Sequence, residues 1–148
     1  MVKKRDDEAL RLSNQLCFAV YSTAHALNRV YKPLLDPLGL TYPQYLVMLS
    51  LWEQDGPTVK GIGECLHLDS GTLTPLLKRL EAAGFIRRNR DPDDERQVRI
   101  VLTQAGQALR EKAKPIPREI VCQTGRSNDE VQALKDELIR LRASLDSV

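Results

Sequence analysis

The chain has 148 residues, 42% of them hydrophobic and 28% charged, with a formal net charge of +2. This length supports one folded domain, or one domain with an oligomerisation appendage, and the composition excludes a chain that is disordered throughout. No apolar run reaches the length of a bilayer span, and the charged start MVKKRDDEALRL has no apolar stretch behind it, so neither membrane insertion nor secretion is indicated and the cytoplasm is the expected compartment.

In chain order, Asp6 to about Leu35 reads as one long helix, with Leu12, Leu16, Val20, Leu27, Tyr31 and Leu34 spaced for one face. Pro33 and then Asp36-Pro37-Leu38-Gly39 end it. Thr41-Tyr42-Pro43 has the form of a cap with proline near the first helical position. The helix behind it would bury Tyr45, Leu46, Met48, Leu49 and Trp52 and stop at Asp55-Gly56-Pro57. Two short apolar-periodic segments follow, joined at His67-Leu68-Asp69, a helix-turn-helix pattern. The second segment, Asp69 to Ala83, carries Leu73, Leu76, Leu77 and Leu80 on one stripe, with Asp69 or Ser70 as cap and Gly84 as stop. Pro75 costs about 3 kcal/mol inside a helix and is tolerated only in a first turn, so the residues leave the helix start open.

After Gly84 the period changes from helical to alternating. Phe85-Ile86 leads into basic residues, Asp91-Pro92-Asp93-Asp94 makes a turn, and Val98, Ile100 and Leu102 alternate with Gln97 and Arg99, which spells a β-hairpin wing. Thr103 starts another helix, broken by Pro115 and Pro117, so Cys122 falls on a separate short segment closed by Gly125 to Asn128. Ser127 or Asn128 caps a last helix with Val131, Leu134, Leu138, Leu141 and Leu145 on one side.

The expected fold is therefore mainly α with a small β-hairpin wing. Residues 1–40 form an N-terminal helix, 41–103 the winged helix-turn-helix, and 104–148 the C-terminal helices. The first and last stripes have little in their own chain to bury them. An isologous homodimer built on them would present two second helices about 34 Å apart, one turn of duplex DNA. In that reading the helix from Asp69 lies in the major groove, with Ser70, Thr72 and Thr74 at base edges or phosphates and Lys78 on a phosphate. Arg88, Arg90 and Arg96 of the wing reach the backbone, Arg96 toward the minor groove. The acidic turn fits if its carboxylates hold wing arginines in fixed orientations. The plainer alternative makes these arginines a solvated hairpin face, but charge, wing and recognition helix coincide here.

The stretch GTLTPLLKRLEAAGFIRRNRDPDDERQVRIVLTQAG resembles the winged helix-turn-helix of the MarR family of bacterial regulators, and the resemblance covers nearly the whole chain. The N-terminal LSNQLCFAVYSTAHALNRVYKPLLDPLGLTYPQYLVMLSLWE is similar to the organic-hydroperoxide-sensing branch, in its two-cysteine form. That resemblance implies that Cys17 is the peroxide-reactive thiol, that Tyr31 and Tyr42 hydrogen-bond its sulfur, and that Cys122 is the resolving thiol. His25 stands where some members have arginine. From residue types alone, a cysteine in an apolar helix is most often a small core residue. If the helix begins near Ser13, Cys17 lies just beyond its first turn, where the helix dipole favours an anion. Neighbours Leu16, Phe18 and Val20 suit an organic hydroperoxide better than hydrogen peroxide.

The expected function is a cytoplasmic transcriptional repressor, not an enzyme, that binds an inverted-repeat double-stranded operator as a homodimer. An organic hydroperoxide would release it by oxidising Cys17, with closure on Cys122 of the other subunit favoured over Cys122 as a spare thiol. No cofactor and no metal are expected: His25 and His67 are isolated, and three cysteines at wide spacing form neither a disulfide framework nor a metal knuckle. Cys65 reads as having no role, and Tyr45 and Trp52 as core. Two rivals are a repressor released reversibly by a phenolic ligand and a thiol peroxidase turning over on Cys17.

Overall fold

The computed structural model describes residues 7–148 and divides the chain into two compact units, one ending at Glu111 and one running from Lys112 to Val148. In the first unit α1 (Leu16–Leu35) is followed by α2 (Tyr42–Glu53), α3 (Val59–Leu66), α4 (Ser70–Ala82), strands β1 (Ile86–Arg90) and β2 (Val98–Leu102), and α5 (Gln104–Ala113), within which the boundary falls. The second unit carries α6 (Ile116–Thr124) and α7 (Asn128–Asp146).

The long first helix is not continuous. Asp6 lies outside the described residues; residues 7–9 are helical, Leu12–Asn14 form a 3-10 turn, and Gln15 is extended before α1 begins at Leu16. The break has a local cause that hydrophobic periodicity does not register. Asn14 donates its side-chain N–H to the Glu8 carbonyl at 2.7 Å, and Gln15 donates to the carbonyls of Ala9 at 2.7 Å and Arg11 at 2.8 Å, so side chains take acceptors that a continuous helix would use.

Four of the later helix starts are capped by side chains. Thr41 and Gln44 form a reciprocal capping box on α2, Thr58 caps α3 through the Gly61 N–H at 3.0 Å, Asp69 caps α4, and Ser127 with Glu130 caps α7. His67, at φ 55°, closes α3 in a left-handed conformation that is uncommon for a residue with a Cβ. Pro75 is the sixth residue of α4, past the first turn, so the helix carries it at the loss of one backbone bond to the Gly71 carbonyl.

The core gathers Leu35, Val47, Met48, Leu51, Ile62, Leu73, Leu77, Leu80, Ile86 and Ile100, all at most 1% exposed. On α2 the buried face includes Val47 and Leu51, whereas Leu49, expected inside, is 38% exposed. The helix is covered by α1, α3 and α4 from several sides, which a single-stripe reading does not anticipate. The antiparallel hairpin pairs Ile86 with Leu102, Arg88 with Ile100 and Arg90 with Val98, and a bridge from Thr58 to Arg99 adds a short third edge. Apart from Leu35 at its end, α1 leaves large apolar side chains outside the core: Leu16 is 63% exposed, and Phe18, Val20 and Leu27 about two-fifths. On α7, Leu134, Leu138 and Leu145 are exposed as well.

Candidate nucleic-acid interface and sensor cysteine

The N-terminus of α4 is built around Asp69. Its Oδ1 accepts the Thr72 backbone N–H at 2.7 Å, and hydrogen bonds from the Thr72 side chain and backbone hold its carboxyl below the usual range. Asp69 is thereby committed to the helix end. Ser70 and Thr72 stand exposed beside it, Thr74 is half-buried facing the wing, and Lys78 is exposed two turns on. A helix start with two hydroxyls at its tip and a lysine on the same element is a suitable phosphate-facing surface.

The wing arginines have different tasks. Arg88 is drawn back onto α4: its guanidinium donates to Glu81 Oε1 at 3.0 and 3.2 Å, and its backbone N–H donates to Oε2 at 3.0 Å. This pairing, led by the Arg88 side chain, keeps the Glu81 carboxyl below its ordinary range. Arg90 is exposed on β1. Arg96 projects from the hairpin tip with its side chain 91% exposed, braced by Asp94, whose Oδ1 accepts both its Nε at 3.2 Å and its backbone N–H at 3.1 Å. Carboxylates of the acidic turn do orient arginines, as the sequence leads one to expect.

Sequence reasoning missed Arg99 as a member of this site. Its Nε donates to Asp91 Oδ2 at 2.7 Å and its Nη1 to the Gly56 carbonyl at 2.9 Å. Asp91 is buried, and the Asp93 backbone N–H, followed by Arg99, holds its carboxyl low. The partners lie up to 43 positions apart, beyond any local pattern. A cleft of about 420 Å³ between wing and helix-turn-helix is lined by Lys60, Thr74, Arg88 and Arg96 among others.

Cys17 occupies the second position of α1 and is exposed. Because the helix starts at Leu16, the thiol lies within the first turn, nearer the positive end of the helix dipole than a start at Ser13 would put it. Tyr31 and Tyr42 come together, ring centroids 4.6 Å apart, and Tyr45 joins them at 5.8 Å from Tyr31 and 6.4 Å from Tyr42. Tyr45 is thus both core and part of the cluster. Burial, then the neighbouring phenols of Tyr42 and Tyr45, push the Tyr31 pKa up to about 12; burial raises Tyr42 as well. Both phenols keep their protons at neutral pH and so are available as hydrogen-bond donors.

A single chain does not bring Cys17 to these donors. Fourteen positions of one helix separate Cys17 from Tyr31, a rise of about 21 Å, although the two side chains leave the helix on nearly the same face. Cys122 is exposed on α6 and Cys65 on α3. His25 packs edge-on against Tyr21, ring centroids 4.4 Å apart. Among the described residues no cluster of three or more histidine, cysteine or acidic side chains is placed to hold a metal ion, and no helix is long and apolar enough to cross a membrane.

A capped helix-turn-helix followed by an arginine-bearing hairpin defines a winged-helix regulator. The family model described as transcriptional regulator SarA/Rot matches residues 29–113. The organic hydroperoxide resistance transcriptional regulator of Bacillus subtilis is 49% identical over 92% of each chain. The regulator TtmR of Methylorubrum extorquens is 55% identical over 94% of this chain and 71% of its own length. Among solved structures, reduced AbfR bound to DNA superposes with a TM-score of 0.78 at 39% identity, covering 96% of this chain and 99% of that one; AbfR comes from Staphylococcus epidermidis. The same protein with its disulfide formed superposes with a TM-score of 0.64. The chain belongs to the MarR-type winged-helix transcriptional regulators, beside the organic hydroperoxide resistance regulators, and the relatives named here are regulators rather than enzymes.

Proposed function

We propose that the protein is a homodimeric repressor that leaves an inverted-repeat DNA operator when an organic hydroperoxide oxidises Cys17. The observation that carries the reading is the split of one thiol site between the two ends of α1. The exposed first-turn Cys17 and Tyr31, whose ring packs on Tyr42, share a face of α1 about 21 Å apart. Two copies of α1 packed antiparallel bring Cys17 of one chain to Tyr31 and Tyr42 of the partner subunit, and cover Leu16, Val20 and Leu27, which one chain leaves exposed. The same pairing spaces two α4 helices for successive major grooves, where Ser70, Thr72, Thr74 and Lys78 reach bases and phosphates. Arg90 and Arg96 meet the backbone, while Arg88 steadies the wing against Glu81.

The Cys17 sulfur attacks the distal peroxide oxygen, the O–O bond breaks, and the alcohol leaves, giving a sulfenic acid. The Cys122 thiol of the partner subunit then displaces water from that sulfur, closing an intersubunit disulfide. Neighbouring Leu16 and Phe18 reward an organic tail, which favours alkyl or aryl hydroperoxides over hydrogen peroxide. The relative solved both reduced on DNA and with its disulfide formed supports a redox cycle of this kind. Gel-shift titration with cumene hydroperoxide tests it. Wild type is expected to leave the DNA and to return with dithiothreitol, and Cys17→Ser is expected to stay bound; release of Cys17→Ser would remove the cysteine from the mechanism.

A further inference from the structure

We propose that α2 is the lever joining the tyrosine cluster to the wing, and that Asp55 is the positioning residue at its far end; this rests on the reading above. Tyr42 is the first residue of α2 and Tyr45 the fourth, so the cluster is fixed to the helix start. The helix spans twelve residues, about 18 Å, and carries five buried side chains, so a push at Tyr42 moves the rod instead of bending it. Just past its C-terminus Asp55 Oδ1 accepts two backbone N–H groups at 2.9 Å, those of Gly56 and of Leu102 on β2.

The next residues extend that grip along the same strand. Gly56 O accepts Arg99 Nη1 and Pro57 O accepts the Ile100 N–H, both at 2.9 Å, and Thr58 bridges to Arg99 before capping α3. One short segment is therefore the end of α2, the third edge of the wing and the start of the helix-turn-helix. Trp52, also on α2, donates its Nε1–H to the Gly106 carbonyl at 2.9 Å and holds the chain leaving β2. Disturbing the phenols on oxidation shifts α2, and these contacts carry the shift to β2 and so to the direction of Arg96. Helix-turn-helix and wing then move as one body rather than the wing fraying alone.

Asp55→Ala and Asp55→Asn separate this from a merely structural role, because the amide oxygen of asparagine still accepts from Leu102. Each variant is assayed for operator affinity reduced and after cumene hydroperoxide, with disulfide formation followed on non-reducing gels and folding by thermal melts. Asp55→Ala is expected to form the disulfide as wild type does, yet its ratio of reduced to oxidised affinity should fall at least about tenfold, equivalent to about 1.4 kcal/mol of lost coupling. Asp55→Asn should keep the wild-type ratio, and Trp52→Phe should lower it while remaining folded. An unchanged ratio in Asp55→Ala, or equal losses in Asp55→Ala and Asp55→Asn, overturns the lever. Failure of oxidised wild type to leave DNA would instead overturn the redox reading beneath it.

Discussion

Arg99 on β2 and Asp91, the residue after β1, meet across the hairpin, Nε to Oδ2 at 2.7 Å, and the same guanidinium reaches back to the Gly56 carbonyl. The pair fastens the root of the wing to the turn before α3, and the tip with Arg96 projects from that root. Removing the carboxylate frees Arg99 and loosens the turn that the Asp93 N–H also holds at 2.8 Å. Asp91→Ala is expected to weaken operator binding and to increase proteolytic nicking between Arg90 and Gln97, with α4 intact by circular dichroism. Fluorescence anisotropy with labelled operator and limited trypsinolysis check both.

Asp91 and two further carboxylates contribute to the acid dependence of stability. Asp69, Glu81 and Asp91 all titrate below their ordinary values, through Thr72, through Arg88, and through the Asp93 N–H with Arg99. A depressed folded value means the unfolded chain binds more protons in that window, so stability is complete above the ordinary carboxylate range near pH 4 and is lost as pH falls through the lower folded values. Melting temperature is expected to be flat from pH 7 to 5 as far as these three are concerned and to fall steeply below pH 4. Asp91→Asn should shorten that acid drop while lowering the plateau; an acid limb identical to wild type would deny Asp91 its part.

Two glycines predict opposite outcomes. A Cβ at Gly106 would collide with the Phe85 carbonyl oxygen, which already accepts the Thr103 N–H, and would disturb the Gly106 carbonyl that Trp52 uses. Gly106→Ala is therefore expected to cost about 1–3 kcal/mol, the range of overpacked sites. At Gly71 the added carbon meets only Asp69 Oδ1, at 3.7 Å, so Gly71→Ala should stabilise α4 by about 0.5–1 kcal/mol. On the proposed DNA face the same methyl keeps a backbone from close approach, so operator affinity should drop as stability rises. Urea titrations beside gel shifts measure the two effects separately.

Much of this arrangement was readable because it is local. The cap at Thr41, the choice of Asp69 or Ser70 and of Ser127 or Asn128 for two others, the stop at Gly84 and the alternation of Val98, Ile100 and Leu102 each follow from a few neighbouring residues. The break at Gln15 was not, since amide side chains make it rather than proline or glycine. Nor were the Asp91–Arg99–Gly56 and Asp55–Leu102 contacts, whose partners meet only after the helix-turn-helix has folded. Cys17 shows the limit most clearly: its motif was visible, but its place within the first turn of α1 required knowing where that helix begins.

Cys122 separates oxidation from release. If Cys17 alone reacts, the added oxygen is small, whereas a disulfide to the partner subunit constrains two helices. Cys122→Ser is expected to consume one equivalent of cumene hydroperoxide, to gain oxygen at Cys17 by mass spectrometry, and to remain on the operator. Release of oxidised Cys122→Ser as complete as wild type would show that the sulfenic acid suffices.

Tyr31 gives the last prediction, because its phenol has a distinct pH signature. With its pKa pushed up to about 12, the hydroxyl remains a donor through the whole range in which a cysteine gains thiolate character. The rate of Cys17 oxidation by hydroperoxide should therefore rise with pH and level off, with no fall up to about pH 10, where an ordinary tyrosine would lose its proton. Tyr31→Phe keeps the ring against Tyr42 and Tyr45 but removes the donor, and loss of one such hydrogen bond, about 1 kcal/mol, slows the reaction roughly fivefold. Stopped-flow measurement of the thiol reaction from pH 6 to 10 reads both effects. Equal rates in Tyr31→Phe and wild type at every pH would mean that the phenol of the partner subunit never reaches the sulfur, and the antiparallel pairing of α1 would have to be abandoned.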